Sequence, residues 1–93
     1  MFNDSYPLHP GVTTIGRYDD MVPSDIAIKG DTYMSRRSVS IEMRGASYRM
    51  KVLSSTNPVL LNGQNVPVGS ETFLNFGDII TLGRTQFRLE QMK

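Results

Sequence analysis

Ninety-three residues, 39% of them hydrophobic and 20% charged, fit one small globular domain and leave no room for a second core. The chain has no cysteine, which excludes a disulfide framework and a zinc–thiolate site as supplements to that core. Ten Lys and Arg against nine Asp and Glu give a formal charge of +1, so no global field draws in nucleic acid or an anionic membrane, and any basic site is local.

Eight glycines and five prolines are spread along the chain, and the stretches between them carry no amphipathic stripe. A nearly all-β fold is expected. Tyr6 to Leu8 is expected to supply a first piece of strand. Val12 to Ile15 is a short β-branched strand ending at Gly16-Arg17, and Asp25-Ile26-Ala27-Ile28 is a shorter one after the polar loop Tyr18 to Ser24. From Val39 the pattern alternates: Val39, Ile41 and Met43 against Ser40, Glu42 and Arg44, then Tyr48, Met50 and Val52 against Arg49, Lys51 and Leu53. This period of two, broken at Gly45-Ala46-Ser47, predicts an antiparallel hairpin with one face in the core. Asn62-Gly63 suits a two-residue type I′ turn and predicts a second hairpin between Val59-Leu60-Leu61 and Gln64-Asn65-Val66. A third is predicted around Gly83-Arg84-Thr85, between Ile79–Leu82 and the alternating Phe87 and Leu89. Many short strands at this spacing mean a sandwich or a barrel.

No apolar run approaches bilayer length, and Met1-Phe2-Asn3-Asp4 lacks the basic and apolar regions of a signal peptide, so a cytoplasmic chain is expected. The sole histidine, His9, sits beside Pro10 far in sequence from any nucleophile and reads as a surface loop residue. The carboxylates lack EF-hand spacing, and neither a Walker loop nor a dinucleotide fingerprint occurs. An enzyme is not expected, nor a metal or other cofactor.

The informative polar residues lie at strand ends. Arg17 follows one strand, Ser35-Arg36-Arg37 precedes the strand starting at Val39, and Ser54-Ser55-Thr56-Asn57 follows the strand ending at Leu53. Sandwich loops cluster at the ends of the sheets, so these segments are expected to converge on one patch of guanidinium, hydroxyl and amide donors with no carboxylate nearby in sequence. A phosphorylated side chain, with about −1.5 to −2 charge and three acceptor oxygens, is the ligand those groups match.

In order and spacing, Gly16-Arg17, Ser24-Asp25-Ile26-Ala27-Ile28, Ser35-Arg36-Arg37-Ser38, Ser55-Thr56-Asn57, Asn62-Gly63 and Phe76-Gly77-Asp78-Ile79-Ile80-Thr81-Leu82-Gly83 resemble successive signatures of the forkhead-associated (FHA) domain. The resemblance runs from residue 12 to 90. It implies a twisted antiparallel β-sandwich of two sheets, a single domain over residues 1–93 with its core at about 5–90, whose end loops bind phosphothreonine peptides. Carried over by position, Arg17 pairs with the phosphate, Ser35 and Thr56 donate to it, Arg36 is a second cation, and Asn57 holds the peptide main chain. Arg37 is expected in solvent. The implied partner is a phosphothreonine-containing protein or peptide, in Ser/Thr kinase signalling, bound by a monomer, with no nucleic acid or membrane involved.

Two positions depart from the family pattern. Ser38 stands where histidine is usual, and Pro58 stands where glycine usually follows the loop asparagine, biasing Asn57 toward extended backbone. They motivate an alternative, a phosphate-independent protein-interaction module on the same fold. The family also usually has more strand before Gly16, as expected of a domain excised from a longer protein.

Overall fold

A computed structural model describes residues 4–91, and the reading of the first three residues lies outside it. The described strands are β1 (Gly11–Arg17), β2 (Ile26–Ile28), β3 (Val39–Arg44), β4 (Ser47–Val52), β5 (Val59–Leu61), β6 (Gln64–Val66), β7 (Glu71–Leu74), β8 (Ile79–Leu82) and β9 (Thr85–Arg88). Among the described residues there is no helix. The strands form two sheets, ordered β2-β1-β3-β4-β7 and β6-β5-β8-β9. Every pairing is antiparallel except that of β1 with β2, which runs parallel with Ile15 beside Ile26.

The three predicted hairpins form, each closed by two residues. Arg44 pairs with Ser47 across Gly45-Ala46, Leu61 with Gln64 across Asn62-Gly63, and Leu82 with Thr85 across Gly83-Arg84. Asn62 (φ 51°) and Gly63 (φ 83°) both lie in the left-handed region, as a type I′ turn requires. Asn62 is held there by its own side chain: Oδ1 accepts from the Ile79 N–H at 2.9 Å, and Nδ2 donates to Asp78 Oδ1 at 3.0 Å.

Alternation decides which side chains enter the core. Val39 and Ile41 lie opposite Val52 and Met50, and all four are buried, while Ser40, Glu42, Arg49 and Lys51 point the other way. The first sheet adds Ile15, Ile26 and Leu74, the second contributes Val59, Ile80 and Leu82, and the non-strand residues Met34 and Leu89 complete the cluster. Removing side chains of this size from water favours folding by roughly 1.5–3 kcal/mol each.

Two elements differ from expectation. Tyr6 to Leu8 is not a strand: Pro7 offers no N–H to a ladder, and Leu8 instead packs against the core while the Tyr6 ring lies 6.3 Å from that of Phe87. The edge strand β7 extends the first sheet beside β4, with Thr72 opposite Met50.

Candidate functional site

The loop joining β2 to β3 is stitched to the end of β1 through main chain. The Arg17 N–H donates to the Ser35 carbonyl at 2.9 Å, and the Ser38 N–H donates to the Ile15 carbonyl at 2.9 Å. Gly16 is needed for this approach, because a Cβ there would overlap the Arg36 carbonyl and come within 2.9 Å of Ser24 Oγ. The Ser24 hydroxyl donates to the same Arg36 carbonyl at 3.0 Å, fixing the loop from its other side.

The third segment is joined by the same means. Ser38, only 2% exposed, accepts on its carbonyl from the N–H groups of Leu53 at 2.8 Å and Ser54 at 3.3 Å. The Ser54 hydroxyl donates to the Arg37 carbonyl at 2.6 Å, and the Thr56 N–H donates to Ser35 Oγ at 3.1 Å. That last bond uses Ser35 Oγ as acceptor and leaves its own proton to donate elsewhere.

Between these segments lies an open depression of about 570 Å³, walled by Arg17, Ser35, Arg36, Arg37 and Thr56 among others. Four of the five residues singled out from sequence, Arg17, Ser35, Arg36 and Thr56, therefore share one wall. Asn57 does not line it. Its Nδ2 donates to the Tyr33 carbonyl at 3.1 Å, and its own carbonyl accepts from the Ser55 hydroxyl, so it braces the loop before Pro58. Arg37 is exposed, as expected, but its Nη2 donates to the Pro23 carbonyl at 3.0 Å and it lines the rim.

Arg17 Nε is buried and has no hydrogen-bond partner. Buried donors are nearly always paired, so Arg17, which also lines the depression, carries an N–H that the surrounding protein leaves unsatisfied.

The expectation of a patch without nearby carboxylates is corrected by Asp19. It stands two residues past Arg17, and its Oδ2 lies 3.7 Å from Arg36 Nη1, whose side chain is 54% exposed. The Asp19 carboxyl is held below the usual carboxylate range, first by the N–H of Met21 and then by that of Val22, Arg36 and Arg17, against a smaller opposing effect of partial burial. Asp19 thus stays ionised and competes for Arg36, whereas Arg17 forms no ion pair among the described residues.

Comparison with known families gives one match over residues 3–93, to the FHA-type domain described as the inner membrane component of T3SS, cytoplasmic domain (Yop-YscD). The chain belongs to this family of FHA domains. No curated protein matches it. Among solved structures, the FHA domain is similar to one from an analysis of phosphothreonine-dependent FHA domain interactions. The two are 31% identical, covering 95% of this chain and 84% of the other, at a TM-score of 0.80. It is similar also to the FHA domain of CT664 from Chlamydia trachomatis, at 26% identity, 92% and 82% coverage and a TM-score of 0.78. A third is Mycobacterium tuberculosis EmbR in complex with a low affinity phosphopeptide, at 30% identity and a TM-score of 0.77, over 91% of this chain and 21% of that one.

Sequence reasoning missed part of this FHA domain's rim. Val22, Thr32 and Met34 also line the depression, brought there by loops whose paths no local pattern reveals. Ser24 was legible as part of the family signature, but its role as a clamp on Arg36 needed coordinates.

Proposed function

We propose that this FHA domain binds phosphothreonine-containing peptides at the depression around Arg17, as an adaptor in Ser/Thr kinase signalling. The observation that carries the reading is the unpartnered, buried Arg17 Nε in a wall that also holds Ser35, Arg36 and Thr56. In it, Arg17 pairs with the phosphate, the Ser35 hydroxyl and the donors of Thr56 bind its oxygens, and Arg36 exchanges Asp19 for the ligand. Asn57 acts by bracing the loop and orienting Thr56. The phosphothreonine-dependent interactions and the phosphopeptide complex among the similar structures support the same reading. We place the domain in the cytoplasm, supported by the family description. Among the described residues no helix is long and apolar enough to cross a membrane.

Calorimetric titration with matched threonine and phosphothreonine peptides tests this. The phosphorylated form should bind and the plain form should not, and Arg17→Ala should weaken binding at least about tenfold, since truncating one partner of an enclosed charge pair costs roughly 2–5 kcal/mol. Equal binding of the two peptides would favour the second reading, a phosphate-independent interaction module. That reading is supported by Asp19 beside Arg36, by Ser38 and Pro58, and by a family described as a secretion-apparatus component.

A further inference from the structure

The first sheet ends on β2 and β7, and the second on β6 and β9. Three of these four edges are blunted. β2 and β6 are only three residues long, β6 runs into Pro67, and β9 has Tyr6 beside its Phe87. β7 (Glu71-Thr72-Phe73-Leu74) carries neither proline nor lysine. Its Phe73 points away from the core and is 67% exposed, the one large apolar side chain left so on an edge strand among the described residues.

The ladder beside β7 fixes which of its main-chain groups are open. The Val52 N–H donates to the Ser70 carbonyl at 3.1 Å, and the Val52 carbonyl accepts from the Gly69 N–H at 2.8 Å. Alternate residues of an antiparallel strand turn their main-chain groups to the same neighbour, so Met50 and Tyr48 also bond toward β7, where Thr72 and Leu74 stand opposite them. Glu71 and Phe73 therefore turn their N–H and carbonyl groups to the open side. Among the described residues these meet only the Thr72 hydroxyl, a long 3.4 Å from the Phe73 carbonyl. Lys51 lies opposite Glu71, and Arg49 Nε is 3.6 Å from Glu71 Oε1, so this carboxylate has its counter-ions within its own chain.

We infer that the β7 edge pairs with the β7 edge of a second copy of this chain, antiparallel about a two-fold axis at Thr72. In that register Glu71 of each copy stands opposite Phe73 of the other, and every open N–H and carbonyl of the two strands finds its complement. The two Phe73 residues stand diagonally across the axis, about 7–8 Å apart, which aromatic side chains span. The two Thr72 side chains meet on the opposite face, a favourable cross-strand pair. The two Glu71 carboxylates share the other diagonal, each neutralised by its own Arg49 and Lys51. Four residues a side cover less than the roughly 1,200 Å² of a standard interface, so the pair is weak and forms where the chain is concentrated. No β7 residue lines the depression at Arg17, so the inference is independent of the phosphothreonine reading and pairing leaves both depressions open.

Sedimentation velocity and amide NMR on a concentration series of the full chain test this. As the chain is concentrated toward millimolar, the average mass should climb from that of one chain toward a doubling. The shifts that move should be those of Glu71 to Leu74, and hydrogen exchange should slow at the Glu71 and Phe73 amides. Two substitutions separate side-chain from main-chain pairing. Phe73→Glu sets a carboxylate beside Arg49 within the chain but opposite the second copy's Glu71, where like charges repel. Phe73→Pro removes an N–H that the bond pattern with β4 does not use. Both variants should stay at the mass of one chain throughout, while thermal melts confirm that they fold. The wild-type series decides the matter even where a variant melts early. A mass fixed at one chain up to millimolar concentration overturns the pairing. So does association that survives in a folded variant of either kind, or shifts that map to β2, β6 or β9 in place of β7.

Discussion

An N–H enclosed by protein without an acceptor costs about 1–3 kcal/mol, and Arg17 Nε is such a donor. On the proposed reading, that donor belongs to the group that faces the phosphate. Arg17→Met keeps much of the stem and removes the orphan, so the melting temperature of the free domain should stay level or rise while phosphopeptide binding disappears. A clear drop in melting temperature would mean that the guanidinium serves the fold instead. Gly16 makes the opposite case, because its lack of a side chain is structural. Gly16→Ala drives a methyl group into the Arg36 carbonyl and should destabilise the domain by about 1–3 kcal/mol, the range for overpacking, measured as a lower urea midpoint at unchanged m-value.

At the scale of elements, strict alternation made β3 and β4 readable, and Asn62-Gly63 and the Gly83 turn did the same for the hairpins that follow. The strand β7 has no such signal. Phe73 is 67% exposed while Leu74 next to it is buried, so apolar side chains stand on both faces of four residues. The parallel pairing of β1 with β2 was equally hidden, since it depends on a loop path rather than on either strand's residues. At the site, Arg17, Ser35, Arg36 and Thr56 were legible as donors at strand ends. The contacts of Asp31 and Tyr33 with Arg84 were not, because they join segments about half the chain apart and none of the three has a distinctive neighbour. The central strands set the core's tolerance. Met50 is fully buried between β3 and β7, so Met50→Ala should cost about 2–5 kcal/mol and lower the melting temperature by roughly ten degrees or more, read by calorimetry. A shift of only a degree or two would show that the neighbouring strands close over the gap.

For the molecule as a whole, acid is the telling perturbation. The carboxyls of Asp19, Asp25, Asp31, Glu42 and Asp78 are all held below their ordinary range. At Asp31 burial opposes ionisation, and the Thr85 hydroxyl with the N–H groups of Arg84 and Tyr33 outweighs it. At Asp78 the chief cause is the Asn75 N–H, followed by the Asn62 side chain. Because folding depresses these values, the stability they contribute is complete above the unfolded carboxyl pKa of about 4 and is lost as pH falls through the lower folded values. Melting temperature should therefore be nearly flat from neutral pH to about 5 and fall steeply toward about 2. Asp31→Asn should start lower at neutral pH and show a shallower acid slope, and an unchanged slope would remove Asp31 from this group.

The bonds that draw the rim together at Ser38 run through its amide and carbonyl, so they do not depend on which side chains the rim displays. A frame fastened in that way lets its ligand preference drift by substitution at outward positions such as Arg36 and Arg37 while the frame itself stays put. Evolution, or a designer, can therefore retune what the domain grips without first having to rebuild it.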